Sequence, residues 1–392
     1  MNRDVFAPAT LGPVKLGNRV IKAATFEGRT PYGEVTRDLI DFHVDLARGG
    51  VGLTTVAYLA VAAEGRTHRE QIVVGPGTRH GLARLAEAVH EAGGRISGQV
   101  GHAGPVANGR SNQVHALSPS RMFSPLSMQM VRSATERDLT RITHQYVDTA
   151  RTLVDAGFDV LELHMGHSYL ISAFLAPGLN RRADRWGGPL ANRARLARQI
   201  AHAVRDAVGD EAGLIAKVSV GDGFKGGLTT DEAVEFARLL EADDTLDALQ
   251  LSAGSSLMNP MYLFRGEPPR KEFAAVMPWQ VKWGMRAAGR AFLREYPYQE
   301  AYLLDKAARV RDAVTIPLIL LGGISTRETM ELAMSEGFSY VAMARALLRE
   351  PDLIRRLERE PRGAGLCIHC NRCMPTIYAP GGTHCPVISA PG

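Results

Sequence analysis

The first 366 residues of this 392-residue chain contain no cysteine, so no disulfide can staple the body of the fold and a buried core must hold it. No uninterrupted apolar stretch approaches the length of a membrane span, and the opening MNRDVFAPATLGPVKLGNRV lacks the apolar core of a secretory signal, so a cytoplasmic protein is expected. The formal charge of +5 is not gathered into a basic block with interleaved aromatics. Its arginines are scattered over helical stretches among many acids, which argues against nucleic acid and membrane as partners. No G-x-G-x-x-G follows an early strand, which counts against an open dinucleotide-binding sheet. The 40 glycines follow no triplet period and read as turn and close-approach positions in a loop-rich α/β protein.

What is present is a globular composition, 45% hydrophobic and 22% charged, enough for one large barrel or two smaller domains. Short apolar runs rich in β-branched residues recur, each followed by a stretch of helical period. Eight strands are expected, near Val20–Thr25, Gly52–Ala57, Arg95–Val100, Asp159–His164, Leu214–Ser219, Ala248–Ser252, Leu318–Leu321 and Tyr340–Ala344. Helices are expected at His80–Ala92, Asp138–Ala156, Asn192–Val208, Thr230–Glu241, Ala301–Ala313, Arg327–Glu336 and Pro351–Glu358. Eight βα units over roughly 340 residues suit a closed (β/α)8 TIM barrel better than a doubly wound sheet. The barrel is expected over residues 1–360, with a Cys-rich extension over 361–392. Two long loops, Gly104–Thr135 after the third strand and Ala253–Gln299 after the sixth, are expected to form lids or pocket walls.

The segment LELHMGHSYLISAFLAPGLNRRADRWGGPLANRAR is the richest in chemistry. Leu161 and Leu163 alternate with Glu162 and His164, so His164 ends a strand on the face opposite the two leucines. His167 and Tyr169 follow at once. Three hydrogen-bonding side chains packed into six residues at the C-terminal end of a barrel strand read as a catalytic rim, although each alone would read as a satisfied loop residue.

This segment resembles the signature of the old yellow enzyme family of NADH:flavin oxidoreductases: a histidine, a second histidine or asparagine three residues on, then tyrosine two further. The N-R-R-x-D-x-x-G-G-x-x-x-N-R run from Asn180 to Arg193 is similar too, and the likeness extends from Leu16-Gly17-Asn18-Arg19 to Arg345. It implies an FMN enzyme with NAD(P)H as co-substrate, in which His164 and His167 bind the activating oxygen of an α,β-unsaturated carbonyl compound and Tyr169 supplies a proton. The chemistry suits those roles. Hydride arriving at the β-carbon pushes negative charge onto the carbonyl oxygen, where two preorganised donors meet it, and a phenol is protonated at neutral pH. The family usually has glycine before that tyrosine, where this chain has Ser168.

At the end of the barrel, Gly322 and Gly323 follow the seventh strand, and Ala344 and Arg345 the eighth. Barrels bind phosphate there, with glycine amides approaching the oxygens and a guanidinium chelating two of them. The resemblance further implies Thr25 near the flavin N5 and O4, Gln99 at the pyrimidine edge, and Lys217 near N1 and O2, where a cation stabilises reduced flavin. Lys217 also reads as a barrel lysine paired with an acid. Ala23, Ala24 and Tyr58 match positions that touch flavin largely through backbone, and His102 matches a family motif but reads as structural at least as readily as catalytic.

The tail reads Cys367-Ile-His-Cys370-Asn-Arg-Cys373, then Cys385. Thiolates at this density suit a [4Fe–4S] cluster or zinc, and free thiols remain open. The spacing resembles the cluster segment of the relatives trimethylamine dehydrogenase and 2,4-dienoyl-CoA reductase. A cluster here is expected either to need an external electron-transfer partner or to be vestigial. Three readings follow: an ene-reductase, a flavin dehydrogenase that passes electrons through the tail, and a non-catalytic flavin scaffold with a zinc-stabilised tail. Homo-oligomerisation is compatible with each.

Overall fold

Apolar runs too short for helices become the staves of a closed barrel in the computed structural model, which describes residues 4–276, 289, 292–379 and 381–388. The strands are β1 (Val20–Lys22), β2 (Leu53–Ala60), β3 (Ile96–Gly101), β4 (Val160–Met165), β5 (Gly213–Ser219), β6 (Ala248–Ser252), β7 (Leu318–Leu321) and β8 (Tyr340–Met343). Each pairs in parallel with its neighbour in sequence, and β8 closes on β1. This is the expected (β/α)8 TIM barrel. The limits of β6 and β7 are those expected, while β2 runs on to Ala60 because Tyr58, Leu59 and Ala60 stay buried.

The outer ring consists of α1 (Arg37–Arg48), α2 (Pro76–Glu91), α3 (Glu136–Asp155), α4 (Arg195–Val208), α5 (Thr230–Ala242), α6 (Leu304–Arg311), α7 (Arg327–Ser335) and α8 (Leu353–Arg359). Four of these begin at a threonine whose side chain accepts an amide of the first turn: Thr36, Thr135, Thr229 and Thr326. Each cap satisfies an N–H that the helix leaves open and fixes where a loop of the C-terminal mouth ends. Helix α1 was not expected, since its apolar pairs are split by acids and by His43. The expected helix Asn192–Val208 is divided into Leu190–Arg193 and α4.

Alternation along the strands sorts the core. Leu161 and Leu163 face the helices, while Val160 joins Ile21, Leu53, Ile215, Ala248, Ile319 and Tyr340 inside the barrel. A hairpin, Ala9–Leu11 with Val14–Leu16, closes the N-terminal mouth by adding Leu11, Val14 and Leu16 to that inner cluster. The registers set Gln99 opposite Glu162, Lys217 opposite both His164 and Gln250, and Ser219 opposite Ser252, so polar side chains share successive levels above the apolar floor.

The expected loop Gly104–Thr135 carries strands of its own at Leu117–Ser118, Met122–Ser124 and Gln129–Ser133. Of the loop Ala253–Gln299, residues 277–288 and 290–291 lie outside the described residues. The tail returns to the C-terminal mouth: Thr383 donates its amide to Glu27 O and its hydroxyl to Phe26 O, 2.6 Å each. Among the described residues no helix is long and apolar enough to cross a membrane.

Candidate active site

Strand β4 delivers His164 into the mouth, and the turn after it delivers His167 and Tyr169. That turn is left-handed at two successive non-glycine residues, His167 (φ 60°) and Ser168 (φ 62°), a conformation that costs roughly 1–2 kcal/mol per residue. Hydrogen bonds offset it. His167 Nε2 lies 2.7 Å from Ser252 Oγ, His167 O accepts Ser256 N, Ser168 N donates to Ser172 Oγ, and Ser168 Oγ lies 2.5 Å from Ser255 Oγ. The position demands a positive φ, which favours glycine over serine, and the Ser168 hydroxyl helps hold the turn against that cost.

The three expected site residues come together. Ring centroids of His164 and Tyr169 are 4.4 Å apart, those of His164 and His167 are 5.0 Å apart, and the ring of Tyr58 stands edge-on to Tyr169 at 5.3 Å. Burial, with the Lys217 charge nearby, drives the His167 pKa down to about 3; burial, then His167 and Lys217, drives that of His164 well below its usual value. Both imidazoles are therefore neutral at pH 7, each with one N–H to donate. His164 Nδ1 is buried without a protein partner. Tyr58 is committed, since its hydroxyl donates to Gly65 O at 2.5 Å and burial raises its pKa well above that of a free phenol.

Beneath this wall lies the polar level. Lys217 Nζ sits 2.9 Å from Glu162 Oε1, both groups buried, and Gln99 Nε2 donates to the same oxygen at 2.5 Å. The lysine–acid pairing is thus present. Glu162 Oε2 and both amide atoms of the fully buried Gln250 have no protein partner. An unsatisfied buried polar atom costs about 1–3 kcal/mol, so this level calls for a ligand that offers donors and acceptors along one edge. The imide edge of a flavin ring does so, and the residues present fit the group. Gln250 and Glu162 escaped the sequence reading, although both alternate with leucines in barrel strands, where an inward polar residue is the available signal.

Just after β1, Thr25 Oγ1 accepts a hydrogen bond from Lys22 Nζ (2.8 Å), which also donates to Ala23 O (2.7 Å). Burial lowers the pKa of Lys22 to about 8, with Glu27 opposing. Ala23 is buried and Ala24 half-buried beside them. His102 accepts Gly104 N at Nδ1 and packs against Gly65, a structural placement, and burial lowers its pKa to about 4. Asp222, after β5, was also missed. It accepts Leu228 N at 2.7 Å, its other oxygen is unpartnered, and burial raises its pKa to about 7.

At the other end of the mouth, Gly322 and Gly323 have φ of 109° and 78°. A Cβ on Gly322 would lie 2.6 Å from Leu303 Cγ, and one on Gly323 would lie 2.7 Å from Gln299 O. Here the glycines admit the crossing segment 299–303, a reason that the sequence pattern does not reveal. Arg345 follows Ala344 and opens the short helix Arg345–Arg349. It donates to Phe264 O, to Arg265 O at 3.3 Å and to Asn371 Oδ1 of the tail.

Cys367, Cys370, Cys373 and Cys385 line one cavity with Arg345 and Arg349. Burial raises the pKa of the Cys367 thiol, and that of Cys373 to about 12. Among the described residues no three His, Cys, Asp or Glu side chains stand in an arrangement that would hold a metal ion.

Residues 4–259 match the NADH:flavin oxidoreductase / NADH oxidase family. The 4,4'-dithiodibutanoate disulfide reductase of Rhodococcus erythropolis is 49% identical over 387 residues, 99% of this chain and 96% of that protein. A metal reductase of Desulforamulus reducens is 30% identical over 391 residues, and the chain spans 54% of its length. Of solved structures, a 2-naphthoyl-CoA reductase bound to 2-naphthoyl-CoA aligns with a TM-score of 0.79 at 21% identity, over 97% of this chain and 58% of that one. The old yellow enzyme homologue of Zymomonas mobilis aligns at 0.74 and 20% identity, over 98% of both.

Proposed function

The chain belongs to the NADH:flavin oxidoreductase / NADH oxidase family, and from that premise we propose that this FMN- and NAD(P)H-dependent oxidoreductase is an ene-reductase whose acceptor binds against His164, His167 and Tyr169. Gln99, Glu162, Lys217 and Gln250 would hold the polar edge of the ring, Ala23, Ala24 and Thr25 its β1 side, and the Gly322–Gly323 and Ala344–Arg345 corner its phosphate. When bound, FMN supplies hydride transfer from NAD(P)H to the acceptor.

The protein's part is electrostatics and protons. His164 and His167, held neutral by burial, donate to the substrate carbonyl oxygen as it gains negative charge, at a site where little water competes. Tyr169, packed on His164, gives its proton to the α-carbon. Tyr58 is excluded from that role because its hydroxyl is already spent on Gly65 O. The balance is NAD(P)H + H⁺ + enone → NAD(P)⁺ + saturated carbonyl. The observation that carries this reading is the convergence of two neutral imidazoles and a phenol on one wall.

The full-length likeness to the dithiodibutanoate disulfide reductase favours a second reading at the same wall, NAD(P)H + H⁺ + RSSR → NAD(P)⁺ + 2 RSH, with Tyr169 protonating a leaving thiolate. One anaerobic experiment ranks the two. Flavin bleached by NAD(P)H is mixed with 2-cyclohexenone or with 4,4'-dithiodibutanoate, and the rates at which yellow colour returns are compared. Recovery with neither overturns both readings; recovery with the disulfide alone overturns the first.

A further inference from the structure

The ring of His167 is gripped from behind by strand β6. Its Nε2 lies 2.7 Å from Ser252 Oγ, and both residues are buried. Nδ1 has no partner among the described residues and is not sealed in the core, so it is the nitrogen open to the mouth. His164 is turned the other way round: its buried, unpartnered atom is Nδ1, which leaves Nε2 for the mouth.

A neutral imidazole carries one proton, and that proton can face the mouth or face Ser252, not both. His167 is neutral at pH 7, because burial holds its pKa down at about 3. The serine hydroxyl decides between the two forms. Ser252 Oγ has no partner other than His167 among the described residues, so its own hydrogen has one acceptor within reach. If Nε2 held the imidazole proton, two donors would meet and the Ser252 hydrogen would be left in the core unpaired, a fault that native structures rarely keep. If Nε2 is bare, the hydroxyl donates to it. The contact is set by strands and not by a loop: Ser252 ends β6 in register with Ser219 of β5, Ser252 O accepts Val220 N at 2.7 Å, and Ser219 Oγ accepts His167 N at 3.4 Å.

We propose that Ser252 is a positioning residue that donates its hydroxyl proton to His167 Nε2 and thereby holds the His167 proton on Nδ1, aimed at the acceptor atom of the substrate. The assignment rests on the reading that the substrate binds against His164 and His167, and it adds which atom of each imidazole faces it: Nε2 of His164 and Nδ1 of His167. With the opposite tautomer His167 would turn a lone pair toward an oxygen or sulfur that is gaining negative charge, and the wall would repel where it has to donate.

The tautomer can be read without turnover. In protein whose histidines carry the heavy nitrogen isotope, two-bond proton–nitrogen correlation spectra at pH 7 distinguish Nδ1–H from Nε2–H imidazoles, and the His167 signals are those missing from His167→Gln. Wild-type protein is expected to hold His167 as Nδ1–H. In Ser252→Ala nothing behind the ring sets the proton, so the Nε2–H form should appear beside it, and reoxidation of reduced flavin by the acceptor should slow about tenfold or more, a share of what loss of a whole oxyanion donor costs. Ser252→Thr keeps the hydroxyl and should keep both the tautomer and most of the rate. A wild-type His167 protonated on Nε2, or on both nitrogens, overturns the assignment. So does an Nδ1–H form kept in full by Ser252→Ala, since Ser252 would then only pack against the ring. Thermal melting checks that each variant is folded, and if neither folds the wild-type spectrum decides alone. Wild-type protein that shows the Nδ1–H form but passes electrons to neither enone nor disulfide refutes the substrate reading and leaves the tautomer assignment standing.

Discussion

The lower and upper halves of the barrel interior are built on opposite rules. Below, Ile21, Leu53, Val160, Ile215, Ala248 and Ile319 pack against the N-terminal hairpin, and the one hydroxyl among them, on Tyr340, donates to Thr10 O at 2.6 Å. Above, Gln99, Glu162, Lys217 and Gln250 share one level, and partners are lacking for Glu162 Oε2, both Gln250 amide atoms and, at the rim, His164 Nδ1. A core that closes on itself stabilises the fold; a core left polar and incomplete stores unfavourable energy that a ligand releases. The difference marks, from this chain's own residues, the end of the barrel that is left open to a ligand.

The sharpest way to break this comparison is at the incomplete end, in the chemistry. Tyr169→Phe removes the proposed proton and keeps the ring, so reoxidation of reduced flavin by an enone should slow by about 10²–10⁴-fold. Reduction by NAD(P)H, which does not use that proton, should change far less. Stopped-flow absorbance measures both half-reactions, and equal slowing of the two would show that the phenol shapes the pocket instead of supplying a proton.

Next in size is the cost of unpairing the polar level. Lys217→Met leaves Glu162 buried with its cation gone, and breaking such a pair typically costs about 3–5 kcal/mol. The double variant Glu162→Leu/Lys217→Met removes both charges and should recover most of that loss in urea unfolding of the apoprotein. No recovery would mean that the two side chains matter through packing alone. An equivalent swap in the lower half has no counterpart, because the inner cluster there, among the described residues, is apolar.

Titration separates the halves a third way. His167 has a pKa of about 3 in the fold against 6.5 for the free side chain, so the folded state binds fewer protons and the contribution of this group is full above pH 6.5. It is lost as pH falls toward 3, and His164 acts in the same direction. Asp222, raised to about 7 from 3.8, has the opposite sign: its contribution is full below pH 3.8 and is lost as pH rises through 7. One unbalanced proton is worth about 1.4 kcal/mol per pH unit. Urea midpoints of His167→Gln should therefore fall less steeply than those of the wild type between pH 6.5 and 5. Those of Asp222→Asn should gain on the wild type from pH 4 to 7. Parallel curves would place these groups in contact with water.

Legibility in the sequence followed the same divide. The eight strands could be read because β-branched runs of four to eight residues repeat, and the His164, His167, Tyr169 wall because all three fall within one strand end. Helix α1 could not, since its buried face includes His43, which pairs with Thr54 Oγ1 at 2.7 Å and so passes as polar surface in a hydrophobicity pattern. Gln250, Glu162 and Asp222 were hidden for the same reason: a buried polar residue is defined by what surrounds it in space. Arg345 was expected at the phosphate corner, and its partners Phe264, Arg265 and Asn371 could not be read because they lie about 80 or 26 residues away in sequence.

The smallest effect probes the turn that joins strand to wall. At Ser168 two small quantities oppose each other, the left-handed backbone that disfavours any Cβ and the hydroxyl bond to Ser255 that favours serine. Ser168→Gly relieves the first, loses the second and loosens the unfolded chain, so a net loss of about 1 kcal/mol or less is expected. Ser168→Ala keeps the strain and loses the bond, and should be the less stable variant by a few tenths of a kcal/mol to about 1 kcal/mol. The order serine, then glycine, then alanine in thermal unfolding would show that backbone conformation sets the residue choice here. Alanine equal to or above glycine would mean that the turn relaxes once the hydroxyl is gone, and that His167 and Tyr169 are aimed by their own contacts and not by this backbone.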